Sequence, residues 1–215
     1  HFAEIKTFLA KKGDVNIKDE INNNVLHFLT SMPVPDDILR AEIVTIAELI
    51  IEHGLDVENR NKWGLSAVYE AVSHGFFELV EIFQSKGIKL ISHISLNEFM
   101  FYHWPRHPSR KQRSDFPKVL TMLLAEQPNL EFVCESHRYL TALQIACKEG
   151  ASDGILQLLK SGAKPNVALC EYRKIATPLE LMCNYAFRAR GEYFELIDAL
   201  LNAGADPNLY SNDLT

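Results

Sequence analysis

Two short phrases recur along this chain, always in the same order. "TALQIACKEG" (residues 141–150) is followed by "LLKSGAKPN" (158–166), and "TPLELMCNYA" (177–186) by "LLNAGADPN" (200–208). Weaker copies lie upstream: "SAVYEAVSHG" (66–75) with "IFQSKGIKL" (82–90), and "NVLHFL" (24–29) with "IIEHGLDVE" (50–58). The opening "FLAKKGDVN" (8–16) reads as the tail of a copy lacking its first half, and "LLAEQPNLE" (123–131) as a degenerate one. Aligning the last position of the second phrase gives 16, 58, 91 (one residue past the stretch quoted for that copy), 131, 166 and 208, in steps of 42, 33, 40, 35 and 42 residues. A unit of that size cannot bury an apolar face alone, so neighbouring units must stack.

The residues within each copy say what the unit is. Seven and four positions before the glycine of the second phrase stand Ala47/Ile50, Val80/Phe83, Ile155/Leu158 and Ile197/Leu200. Counted from Gln127, the degenerate copy has Leu120/Leu123, and the residue before each pair is Ile46, Leu79, Val119, Gly154 or Leu196. This 3/4 spacing is one apolar helical face repeated five times. Gly54, Gly87, Gly162 and Gly204 then stand where a left-handed residue closes a helix. Thr141/Gln144 and Thr177/Glu180 have capping-box spacing, and Pro178 suits a first helical position. The pattern predicts helices near 2–12, 24–31, 37–53, 66–74, 76–86, 96–103, 115–126, 141–149, 152–161, 177–187 and 191–203. Hairpin-like fingers follow each pair, near 13–23, 54–65, 87–95, 127–140, 162–176 and 204–215.

The minimum step of 33 residues, with "TPLE" and "GADPN" in series, resembles the ankyrin repeat family over nearly the whole chain. The resemblance implies an all-α, ankyrin-type solenoid of stacked antiparallel helix pairs with hairpin-like fingers. Residues 1–215 then form one array, with repeats near 1–23 (partial), 24–61, 62–94, 95–135, 136–170 and 171–208, and a further one starting at 209–215. It also implies a rigid concave surface that binds a protein partner, with no cofactor, and a monomeric segment. In proteins of this kind, partners dock on finger tips and first helices. Here those positions hold Trp63, Ser73, His74, His137, Arg138, Tyr139, Lys148, Glu149, Tyr172 and Arg173. Trp, Tyr and Arg are types enriched at interface hot spots. A tryptophan that instead packs across neighbouring fingers is the competing reading of Trp63.

Three steps exceed 33 by seven to nine residues, and the extra length lies between the helices of a pair: "TSMPVPDDILR" (30–40), "HWPRHPSRKQRSD" (103–115) and "AFRARGEY" (186–193). In stacked helix pairs these turns share one edge, opposite the fingers. Trp104, Arg106, Arg110, Lys111, Arg113, Arg188 and Arg190 would make that edge a second partner surface or an anion site. Length in a surface turn also costs little by itself, which is the competing reading.

Catalytic and metal chemistry find little support in the sequence. His103 and His107 are four apart, but Pro105 between them and Pro108 beyond break the helix that would align their rings. Cys147 and Cys183 occupy small apolar positions facing a neighbouring helix, while Cys134 and Cys170 fall on fingers without a His/Asn constellation. No phosphate-binding loop, nucleophile elbow, kinase signature or dinucleotide fingerprint occurs. We therefore expect no enzyme, metal or cofactor.

With 22 Lys+Arg against 28 Asp+Glu, a net charge of −6 argues against nucleic acid as partner. No apolar run spans a membrane. Sparse cysteines suit a cytoplasmic setting, the host cytoplasm if the chain belongs to a secreted bacterial effector. The His start and the end at "NDLT" mark an excerpt, so a targeting arm of a larger enzyme is a further reading.

Overall fold

The chain is described from a computed structural model, which covers residues 7–8, 11, 13–31, 37–103, 115–133, 135–167, 169–170, 173–174, 176–189 and 193–209. Helices α1 (Val25–Ser31) and α2 (Asp37–Glu52) form one pair, α3 (Ala67–His74) and α4 (Phe77–Ser85) the next. A short α5 (Leu96–Glu98) runs directly into a π turn, Phe99–His103, and α6 (Phe116–Ala125) follows. Two further pairs are α7 (Ala142–Glu149) with α8 (Ser152–Lys160), and α9 (Pro178–Ala189) with α10 (Phe194–Asn202).

Backbone packing divides the chain into two units, His1–Ile94 and Ser95–Thr215. In the first unit α1 packs on α3, and α2 on α4. In the second, α5 packs on α7 and α7 on α9, while α6 packs on α8 and α8 on α10. First helices thus stack on first helices, and second on second.

The repeated apolar face forms the core. Ala47, Leu79, Val80, Phe83, Val119, Leu120, Leu123, Ile155, Leu158 and Leu200 are all buried. Ile46 and Ile197 are only half-buried. The capping boxes form as read: the Thr141 hydroxyl accepts from Gln144 N–H, and the Gln144 carbonyl oxygen accepts from Thr141 N–H at 2.8 Å. Thr177 and Glu180 exchange the same two bonds.

Helix ends follow the sequence too. Gly162 has φ 93°, its N–H donates to Leu159 C=O, and Ala163 N–H donates to Leu158 C=O. The same two bonds close the helices before Gly54, Gly87 and Gly204. Gln127 stands at this position in the degenerate copy with φ 55°, a conformation that penalises a side chain. Pro128 follows it and has no N–H for the second bond, so that helix end is held more weakly.

The long copies place part of their extra length in helices. α2 has 16 residues against nine in α4, and α9 has 12 against eight in α7. The fingers hold local structure beyond a plain hairpin. Leu90–Ser92 and Glu135–His137 are single 3₁₀ turns, and strand β1 (Leu169–Cys170) pairs antiparallel with β2 (Arg173–Lys174).

Candidate functional site

The fingers owe their shape to short polar side chains at fixed places. Asp14, Asp56, Asn129 and Asp206 each accept the N–H two residues on, closing an Asx turn in four fingers. Bonds between successive fingers then lock them. The Asn16 amide donates to Gly54 C=O at 3.2 Å and accepts from Asp56 N–H at 2.7 Å. Asn166 repeats this on Gly204 and Asp206, both at 2.8 Å.

The run "NNN" at 22–24 is the densest case. The Asn22 amide donates to Arg60 C=O at 2.6 Å, Asn23 Oδ1 accepts from the Asn61 amide at 3.2 Å, and the Asn24 amide donates to Asp56 C=O at 2.8 Å. Asn59 donates back to Asn22 C=O at 2.8 Å. The sequence reading missed this ladder. Its signal was available, because polar side chains repeated near the copy spacing have nothing to pair with except one another's backbones.

First helices are stapled to the next finger by a second device. The carbonyl just before the helix cap accepts from His27 Nε2 at Leu65 (3.1 Å), from Asn97 Nδ2 at Leu140 (2.7 Å) and from Gln144 Nε2 at Ala176 (3.0 Å). Three residue types do one job, so sequence comparison of the copies does not reveal it. The staples tie the finger ends at Leu65, Leu140 and Ala176 to the preceding first helix, and the ladder ties the finger at 54–65 to the one at 13–23.

Trp63 lies in the turn Asn61–Gly64. Asn61 Oδ1 accepts the N–H groups of Trp63 and Leu65, and Gly64 N–H donates to Asn61 C=O. Gly64 takes the left-handed conformation this turn demands (φ 78°). The indole is 61% exposed, with Lys62 Nζ 4.6 Å above the ring, so it does not pack across neighbouring fingers. Arg138 is exposed and Tyr139 half-buried at the turn after the 135–137 3₁₀ helix. Both have positive φ, 59° and 58°, which turns that finger tip sharply.

His74 and Lys148 are half-exposed in the last turns of α3 and α7. His74 Nδ1 lies 2.8 Å from Glu70 C=O and 3.6 Å from Glu70 Oε2. Glu149 is half-exposed, but Ser73 is buried, turned inward where His74 beside it turns out.

Other candidates fall elsewhere. Trp104, Arg106, His107, Arg110, Lys111, Arg113, Cys134, Tyr172 and Arg190 lie outside the described residues, so the basic edge and the histidine pair do too. The backbones of His103, His137, Cys170, Arg173 and Arg188 are described, but their side chains are not.

Cys147 is buried, and burial pushes its thiol well above the usual range. Cys183 is exposed, contrary to its reading as a packed small residue. Cys183 lies on α9, and among the described residues no later first helix packs against α9. Among the described residues no cluster of His, Cys, Asp and Glu has metal-binding geometry.

One arrangement resembles a catalytic relay. Ser66 Oγ lies 2.7 Å from His93 Nδ1, and His93 Nε2 faces Glu58 Oε2 at 3.2 Å, off the line of a good hydrogen bond. Ser66 is fully buried, however, and its hydroxyl accepts Tyr69 N–H as the cap of α3. The cluster closes a helix end and presents no nucleophile.

Neither family models nor curated proteins match this chain. Solved structures do. A human ASB11 ankyrin repeat domain is 21% identical with a TM-score of 0.64, covering 96% of this chain and 80% of its own. An ankyrin repeat domain from Acinetobacter baumannii AYE is 23% identical with a TM-score of 0.67, covering 95% of this chain and 93% of its own. The likeness is one of fold: the chain is an all-α ankyrin-type solenoid.

Proposed function

We propose that this chain is a non-enzymatic protein-interaction module. Its finger tips and first helices form the contact surface, with Trp63, His74, His137, Arg138, Tyr139, Lys148, Tyr172 and Arg173 as contact residues. The observation that carries this reading is Trp63, a large side chain left 61% exposed on a turn that its neighbours hold rigidly. An exposed aromatic on a preorganised turn binds with little ordering cost, because few torsions remain to be fixed. The cross-bonded fingers extend that preorganisation along each unit. The cytoplasm is the compartment we assign, in line with unpaired Cys147 and Cys183. No helix among the described residues is long and apolar enough to cross a membrane.

The test is quantitative capture from a cell extract by wild type, Trp63→Ala and Arg138→Ala. We expect a shared set of proteins to fall in both variants. Equal capture by all three removes the surface assignment.

A further inference from the structure

We infer that Arg60 is a positioning residue for Trp63, holding the turn that presents the indole to a carbonyl of the finger at 87–95. The inference rests on the contact role proposed for Trp63. Arg60 stands three residues before Trp63 and is exposed, so in sequence it reads as one more surface charge. Its guanidinium is bound to backbone instead: Nη1 donates to Gly64 C=O at 2.9 Å and Nη2 to Ser92 C=O at 3.4 Å. Glu58, the nearest acid in sequence, faces His93 at 3.2 Å, and among the described residues Arg60 has no carboxylate partner.

The hydrogen bonds of the turn explain why a side chain is needed there. Every N–H from Asn61 to Leu65 is committed. Asn61 N–H donates to Leu65 C=O, Lys62 N–H to Ile21 C=O and Gly64 N–H to Asn61 C=O, each at 2.9 Å. Trp63 and Leu65 N–H both donate to Asn61 Oδ1. The Asn22 amide supplies the donor for Arg60 C=O, and His27 reaches Leu65 C=O. With those N–H groups used, only a side chain can supply a donor for Gly64 C=O, and Arg60 does.

The turn is thus tied on two sides by different means. Ile21 and Asn22 hold it to the finger at 13–23, and the Arg60 guanidinium holds it to Ser92 in the finger at 87–95. A planar fork fixes two carbonyls at a set spacing, whereas a lysine ammonium is a single point on a flexible stem. Gly64 has the freest backbone of the turn, so releasing its carbonyl lets the turn sample other conformations. A partner must then order the turn as it binds Trp63, which weakens binding without removing any contact. Both bonds lie at the surface, where water replaces them, so their loss acts locally.

The experiment follows amide hydrogen exchange by NMR in the 215-residue chain as wild type, Arg60→Gln, Arg60→Lys and Lys62→Gln. We expect exchange at Trp63, Gly64 and Leu65 to rise roughly three- to tenfold in both Arg60 variants, the loss of one net hydrogen bond. Lys62→Gln removes the cation over the ring but no bond of the turn, and should leave exchange unchanged. Urea midpoints should hold throughout. A second arm uses a peptide selected from a random display library on wild type and lost in Trp63→Ala. It should bind both Arg60 variants roughly two- to tenfold more weakly. Unchanged exchange in Arg60→Gln overturns the inference, and so does faster exchange throughout the unit, which would make Arg60 a general stabiliser. Wild-type peptide binding by Arg60→Lys with loss in Arg60→Gln also overturns it, since Arg60 would then be a direct charge contact. Should no Trp63-dependent peptide be recovered, the contact role of Trp63 fails, and the exchange pattern alone upholds or overturns the hold of Arg60 on the turn.

Discussion

Asn166 holds Asp206 across forty residues of sequence: its Oδ1 accepts Asp206 N–H at 2.8 Å while its Nδ2 donates to Gly204 C=O at 2.8 Å. One side chain thereby satisfies both edges of the turn that closes α10. Asn16 does the same for the turn after α2. Removing either amide leaves two backbone groups to water, at a cost of about 1–2 kcal/mol. Urea unfolding of Asn16→Ala and Asn166→Ala measures this. Asn16→Asp should cost nearly as much, since a carboxylate accepts but cannot donate.

The staple from Gln144 is buried, and its loss should cost more. Gln144 bonds Thr141 N–H, Val167 C=O and Ala176 C=O at once. Gln144→Leu strands those groups and should destabilise by about 2–4 kcal/mol in thermal or urea unfolding. His27→Gln should cost far less than His27→Leu, because an amide already makes the equivalent bond from Gln144.

Left-handed positions offer a pair of opposite predictions. Gly150 caps α7 with φ 66°, and a Cβ built there would meet the Tyr185 ring. Gly150→Ala should destabilise by about 2 kcal/mol or more, and adding Tyr185→Leu should recover part of that loss. Gln127→Gly acts the other way, since it removes the left-handed penalty at φ 55°. A gain of up to about 1 kcal/mol is expected after the added freedom of the unfolded chain is subtracted. Differential scanning calorimetry resolves both.

The two cysteines whose side chains are described should behave differently. An exposed Cys183 reacts with a thiol reagent in the native state, and buried Cys147 reacts only on unfolding. The Cys147 thiol keeps its proton when folded but ionises near pH 8.5 when unfolded. Its contribution is therefore fully present below that pH and lost as pH rises. The slope is about 1.4 kcal/mol per pH unit beyond the unfolded value. Unfolding free energies at pH 7 and pH 10 should show this loss in wild type and lack it in Cys147→Ala.

The apolar spacing was enough to place the five second helices α2, α4, α6, α8 and α10, although Gln127 stands in place of glycine after α6; the helix read near 2–12 lies mostly outside the described residues. Thr141 and Thr177 announced their helices for the same reason: capping depends on three or four residues that sit together in the chain. Ile46 was legible as helical but not as half-exposed, because its burial depends on what lies beyond the finger at 13–23. Cys183 failed likewise. It occupies the position of Cys147, yet Cys147 has α9 stacked beyond its helix and Cys183 has no later first helix described beyond its own.

The sequence by itself determined the unit: helix lengths, caps, core faces and the period that obliges neighbours to stack. These are local properties, set by side-chain spacing along one chain segment and by the conformations glycine, proline and threonine prefer. Only the tertiary structure decided that His27, Asn97 and Gln144 share one task, that Asn22, Asn23 and Asn24 tie two fingers together, and that Arg60 reaches Gly64 and Ser92. Those facts depend on which backbone carbonyl lies within 3–4 Å across a packed boundary. No periodicity encodes that distance, because residues of different chemistry can bridge it equally well.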